Sequence, residues 1–202
     1  MSLDAAVLHD KDIREPLFYF LEETYGKIRI LEEKRSGRAV ADAVMITPGL
    51  LYGIEIKSDA DTYARLEKQV KNYNWYYDRN IIVAGSSHAY HVSEHVPAWW
   101  GIITVEQDEA GRPDFYMLRK PDVNPRVKEQ RKISILWRPE LAHLLELNQL
   151  PKYREKSKSF VQEKLLEKVE PEILWPQVCE ELFERDYNTI AERIAAYKKK
   201  RT

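Results

Sequence analysis

Residues 38–69 read RAVADAVMITPGLLYGIEIKSDADTYARLEKQ, and this stretch decides the fold. Ala41, Ala43, Met45 and Thr47 alternate with Val40, Asp42, Val44 and Ile46, a run suited to a strand with one or both faces covered. Pro48-Gly49 is a turn signal, because proline presets φ and glycine accepts φ > 0. A second strand, Leu51 to Lys57, follows. Side chains alternate along a strand, so Glu55 and Lys57 share one face and Ile56 points to the other. A hairpin closing at Pro48-Gly49 brings Asp42 level with Glu55 or Lys57. Two carboxylates and an ammonium then converge within apolar strands.

Charge in the middle of a strand needs a partner or a metal ion. Two neighbouring carboxylates repel, and a divalent cation relieves the repulsion. Hard oxygen donors suit Mg²⁺ or Mn²⁺, and Mg²⁺ commonly takes one or two carboxylates, waters and a substrate phosphate. The backbone carbonyl of Ile56, between the two charged side chains, is a further candidate ligand. Lys57 is placed to orient or deprotonate an attacking water, or to neutralise phosphate charge. A metal ion would lower the pKa of that water. The bland alternative is a surface hairpin with a solvated Glu–Lys pair, worth little to stability. A lone E-x-K favours that alternative. Asp42 thirteen residues before Glu55 and a following amphipathic helix with Gln69 shift the weight toward a site.

An Asp, then E-I-K across a turn, then a helix with Gln resembles the PD-(D/E)XK nuclease superfamily. Ala41-Asp42 stands where the superfamily's name has Pro-Asp. The match is similar to a branch of small bacterial and phage-associated proteins, mostly uncharacterised. Its signature corresponds here to Asp42, Gly53-Ile54-Glu55-Ile56-Lys57-Ser58-Asp59, Asp61, Arg65-Leu66, Gln69 and Tyr73. Arg38 or Ala39 stands near the branch's usual arginine. Pro97-Ala98-Trp99-Trp100-Gly101 and Leu136-Trp137-Arg138 resemble it too. The resemblance implies an α/β, restriction-endonuclease-like core: a mixed central sheet flanked by helices. It implies metal binding by Asp42 and Glu55, with Lys57 and Gln69 positioning the water. It adds one more carboxylate beside the metal, Glu33, with Glu32 close behind. Many DNA-cutting relatives dimerise, so a homodimer is an expected partner state.

With 202 residues, the chain holds one large domain, or one domain and a small appendage. It is 44% hydrophobic and 32% charged, a globular balance, and no apolar run approaches a membrane span. The start lacks the basic stretch and apolar core of a signal peptide. The single Cys179 excludes an internal disulfide and a cysteine-based zinc site, and fits a cytoplasmic location. Net charge is −1, but the part from Arg119 to Lys168 is clearly basic.

Asp10 or Asp12 caps an expected first helix to about Tyr25, with Ile13, Leu17, Phe20, Leu21 and Tyr25 on its apolar face and Gly26 ending it. Lys27 to Glu33 is a strand candidate. Ser58 or Asp59 is expected to cap a helix running to Tyr77, whose stripe is Tyr63, Leu66, Val70, Tyr73 and Tyr77. Arg65 on that helix either contacts DNA phosphate or pairs with Asp61. Asn80 to Gly85 reads as a buried strand, and Ile102 to Val105 and Phe115 to Leu118 as further strands. His88, His91 and His95 match no zinc-binding spacing and read as loop and packing residues.

Lys120 to Pro125 reads as a linker, dividing a 1–119 core from a 120–202 C-terminal all-helical extension. Helices are expected at Arg138–Leu147, Ser159–Val169, Gln177–Arg185 and Thr189–Lys200. The basic loop between the first two carries Lys152, Arg154, Lys156 and Lys158, and helix–basic loop–helix resembles a SAP-type DNA-binding module. A helical cap with a solvated loop explains it equally well. The expected function is a metal-dependent nuclease cleaving DNA. The alternatives are a non-catalytic DNA-binding or accessory protein, and a partner-binding protein of a phage or mobile element.

Overall fold

A computed structural model describes residues 8–36 and 39–185, and the side chains of 33–40 lie outside that description. The described residues form two compact units, 8–45 with 51–127 and 46–50 with 128–185. Residues 120–127 thus group with the first unit. Asn124 holds them there: its Nδ2 donates to the carbonyls of Asn74 and Tyr77, and its N–H donates to the Asp78 carbonyl.

The first unit is a six-stranded mixed sheet with helices. Helix α1 (Asp10–Tyr25) is closed at its start by Asp12, whose carboxylate accepts from the His9 N–H, and ends at Gly26 with φ 77°. The strands are β1 (Arg29–Ser36), β2 (Ala39–Thr47), β3 (Leu50–Lys57), β4 (Arg79–Gly85), β5 (Gly101–Gln107) and β6 (Pro113–Arg119). They lie side by side in sequence order. The two-residue turn at Pro48-Gly49, with Gly49 at φ 81°, joins β2 to β3 and makes them antiparallel. Strands β3, β4 and β5 run parallel, and β6 returns antiparallel along β5. Helix α2 (Leu66–Tyr76) provides the crossover from β3 to β4.

Alternation along β3 places α1 and α2 on opposite faces. The Tyr52 ring meets Tyr25 of α1, whereas a side chain at Gly53 would collide with the rings of Tyr73 on α2 and of Tyr77 just past its end. Glu55 and Lys57 have the parity of Gly53 and face α2. The α1 face is filled by Ile13, Leu17 and Leu21, with Phe20 stacked on Phe115 of β6. On the α2 face, Asn74 Oδ1 accepts from the indole N–H groups of Trp99 and Trp100, and Trp100 is fully buried.

The expected helix from Ser58 starts later. Residues 58–62 form a loop, Tyr63–Arg65 is one 3-10 turn, and α2 begins at Leu66. Ser58 and Asp59 do not cap it. Asp61 Oδ2 accepts from the Ser58 N–H and hydroxyl, and Asp59 Oδ1 accepts from the Ser87 N–H and hydroxyl. These short polar side chains satisfy loop backbone in place of a helix end. Two single-turn helices follow β4, α3 (Ser86–Ala89) and α4 (Val92–His95). His88 and His95 flank the Tyr63 ring, so these two histidines pack.

The second unit is helical: α5 (Glu129–Lys132), a 3-10 turn at Ile133–Ile135, α6 (Arg138–Leu147), α7 (Lys158–Lys168) and α8 (Pro171–Phe183). Helix α8 starts six residues before the expected Gln177. Pro171 occupies its first turn, where no N–H is needed, and Pro176 is carried inside it at the loss of one hydrogen bond. The centre of this unit is a buried ion pair: Arg185 grips both oxygens of Glu140, at 2.7 and 2.6 Å, over the Trp137 ring. The expected helix at 189–200 lies outside the described residues. Among the described residues no helix is long and apolar enough to cross a membrane.

Candidate active site

Glu55 has no solvent exposure and Lys57 has 5%. A charge buried this deeply is stable only when its hydrogen-bonding capacity is met. Lys57 Nζ donates to Glu55 Oε1 at 2.5 Å. Gln69 Nε2, from α2, donates to the same oxygen. Tyr73 Oη donates to Glu55 Oε2 at 2.7 Å. Among the described residues, three of the four lone pairs of the carboxylate are therefore engaged, and one on Oε2 is left.

Asp42 reaches the same group from β2. Its N–H donates to Tyr73 Oη at 3.2 Å, and its Oδ2 accepts from the Ile56 N–H at 2.9 Å. Its other oxygen lies 3.7 Å from Arg14 Nη2, an ion-pair distance too long for a hydrogen bond. Burial pushes the Asp42 carboxyl up to about 7, the charge of Glu55 adds to the rise, and the Ile56 N–H and Lys57 oppose it. Tyr73, fully buried beside two carboxylates, is pushed well above the ordinary phenol range and stays neutral.

Asp42, Glu55, Lys57 and Gln69 gather at one place. A strand residue turns its N–H and C=O to the same neighbour, so the Ile56 carbonyl faces the Asp42 side. Glu33 lies outside the described side chains. Glu32 is exposed, with Oε2 3.7 Å from Arg14 Nη1. Arg65 is exposed on the 3-10 turn before α2. In the second unit Lys152, Arg154 and Lys156 are exposed. Lys158 is half-buried, donates to the Ser134 carbonyl at 2.9 Å and is lowered by that burial.

Sequence reading missed two participants. Tyr73 was visible as a member of an apolar stripe and as the last position of the signature, neither of which shows what its hydroxyl does. Arg14 sits on α1, twenty-eight residues before Asp42, and donates to the Asp42 backbone carbonyl as well. No local spacing signals a contact of that range.

Hard oxygen donors lie at this place: the outer Asp42 oxygen and Glu55 Oε2, with Ile56 the strand residue between Glu55 and Lys57. Among the described residues no group of three or more His, Cys, Asp or Glu side chains is arranged to hold a metal ion. An ion here would rest on two carboxylates and complete its shell with backbone, water and substrate oxygen, a set suited to Mg²⁺ or Mn²⁺. Gln69 Oε1 is buried without a hydrogen-bond partner among the described residues, on the amide whose Nε2 donates to Glu55.

No curated protein and no solved structure matches the chain. The family model described as bacteriophage P4 protein cII matches residues 30–201. That match takes in both carboxylate strands, α2 and the helical unit, and on it the chain belongs to the bacteriophage P4 protein cII family.

Proposed function

We propose that this chain is a metal-dependent nuclease hydrolysing DNA phosphodiester bonds at a PD-(D/E)XK type of site. One observation carries the reading. A glutamate with no solvent exposure stands mid-strand, with Lys57, Gln69 and Tyr73 all turned onto it and Asp42 one strand away. So many donors on one buried carboxylate exceed what a solvated Glu–Lys pair requires, and pKa perturbation of neighbouring groups is what catalytic sites display. The element order α1-β1-β2-β3-α2-β4 suits a restriction-endonuclease-like core.

Asp42, Glu55 and the Ile56 carbonyl would hold Mg²⁺ or Mn²⁺. When bound, the ion supplies acidification of a coordinated water and charge stabilisation at phosphorus. The protein's own groups do the rest. The unpartnered Gln69 Oε1 accepts a hydrogen bond from the attacking water and fixes its direction. Lys57, ion-paired to Glu55, helps to position that water and offsets phosphate charge. Tyr73, kept neutral, locks Glu55 in orientation.

The test is Mn²⁺ titration calorimetry with DNA cleavage assays. Wild-type protein should bind Mn²⁺ and cut DNA. Asp42→Ala should lose the heat of binding, and Lys57→Ala should keep it while losing cleavage. Purified protein that binds no divalent ion and cuts no form of DNA defeats the reading. A second reading, a non-catalytic DNA-binding protein, draws on the three donors that already engage Glu55.

A further inference from the structure

Arg14 is a cation beside the outer oxygen of Asp42, with Nη2 at 3.7 Å. Its Nε donates to Asp10 at 2.7 Å, which anchors the guanidinium one turn back along α1. From that anchor Nη1 donates to the Asp42 carbonyl at 3.2 Å and lies 3.7 Å from Glu32, while Nη2 lies 3.7 Å from Asp42 Oδ1. Three carboxylates thus surround one guanidinium. The contact with Asp10 is a close hydrogen bond, whereas those with the Asp42 and Glu32 carboxylates are loose. A loose ion pair is the kind that a divalent ion can displace without dismantling the fold.

We propose that Arg14 is a counter-ion for Asp42 that yields its place to the divalent ion and then contacts a DNA phosphate. The proposal rests on the metal site described under the proposed function. It follows from charge. A guanidinium beside Asp42 lowers the site's attraction for a second cation, so the two compete for one oxygen. Asp10 keeps Arg14, whose side chain is 16% exposed, beside the site once Asp42 is taken. A guanidinium held by one carboxylate still presents N–H donors in the planar fork that phosphate oxygens accept. The arginine is a positioning residue in the ion-free protein and a phosphate contact in the loaded one.

The experiment titrates Mn²⁺ by calorimetry into wild-type protein, Arg14→Gln and Arg14→Lys, with no DNA present. Binding of a short duplex in Mn²⁺ is then measured across a salt series. Arg14→Gln should bind Mn²⁺ about tenfold tighter, since one nearby positive charge is gone. Arg14→Lys should stay close to wild type, because the charge is kept. With Mn²⁺ present, Arg14→Gln should bind duplex more weakly, and the slope of log affinity against log salt should fall by about 1. Wild-type binding of Mn²⁺ with equal or weaker binding by Arg14→Gln overturns the proposal and leaves the metal site standing. Unchanged duplex affinity in Arg14→Gln overturns the phosphate contact. Absence of Mn²⁺ binding in all three proteins defeats the metal site itself, and the proposal with it.

Discussion

Glu55 is stable in the sheet only while its donors remain, and this makes the site sensitive to single substitutions. Removing one partner of a buried ion pair strands the other charge, a loss of about 3 to 5 kcal/mol. Glu55→Ala and Lys57→Ala should each destabilise the protein by that order in urea unfolding. The double variant should be less destabilised than the sum, because no lone charge remains. Additive losses would mean that the pair is not energetically coupled. Asp42 works in the other direction. Its folded pKa, about 7, lies above its ordinary 3.8, so the folded state holds the proton longer than the unfolded chain. The stability this gives is complete below about pH 4 and is lost as pH rises through about 7. In protein freed of metal by chelation, Asp42→Asn should therefore be more stable than wild type at pH 8, by at most about 4 kcal/mol, and the gap should close toward pH 4. Added Mn²⁺ should raise the melting point of wild type and not of the variant. A wild-type protein more stable than Asp42→Asn at pH 8 without metal would contradict this account.

At the scale of elements, the site depends on how closely α2 approaches β3. Gly53 permits that approach: a Cβ there would lie 2.2 Å from the Tyr77 ring and 2.6 Å from the Tyr73 ring. Both rings are buried and packed edge to face, so neither can swing aside. Gly53→Ala should cost about 1 to 3 kcal/mol by overpacking. It should also move the Tyr73 hydroxyl off Glu55, so Mn²⁺ affinity should fall. Gly49→Ala meets open space and strains only φ, at 81°, for about 1 to 2 kcal/mol. Its Mn²⁺ affinity should match wild type, and equal losses of affinity in both variants would disprove the packing argument. The β2–β3 hairpin was legible in the sequence because Pro-Gly between alternating strands is a local signal. The bounds of α6 were legible too, since Pro139 and the leucine spacing act within a few residues. The loop at 58–62 was not, because Ser58 and Asp59 have the chemistry of a helix cap, and the Ser87 partner of Asp59 lies far along the chain. The convergence of Asp42, Glu55 and Lys57 followed from strand alternation and one turn. The contacts of Arg14 and of the Tyr73 hydroxyl follow from tertiary packing, which periodicity does not encode.

At the scale of the whole molecule, catalysis and DNA binding would fall to separate units. The carboxylates and α2 belong to the first, and the exposed Lys152, Arg154 and Lys156 belong to the second. Tyr153 packs edge to face on Phe160, and the Lys156 ammonium lies 5.5 Å from that ring, so the loop between α6 and α7 has a preferred shape. Lys158 is best left unaltered, since its bond to Ser134 serves the fold. Changing Lys152, Arg154 and Lys156 together to glutamate should weaken duplex binding at every sequence alike. If all three meet phosphates, the salt dependence should flatten by a slope of about 3. The variant should still bind Mn²⁺ as wild type does. Glu55→Gln, a gentler change than alanine, should do the reverse: lost cleavage with duplex binding retained. If the triple variant loses binding while Glu55→Gln and wild type behave alike in every assay, the chain is a DNA-binding protein with an idle carboxylate pair. If the triple variant binds DNA as wild type does, the basic loop is a solvated cap, and the phosphate contacts lie nearer the carboxylates.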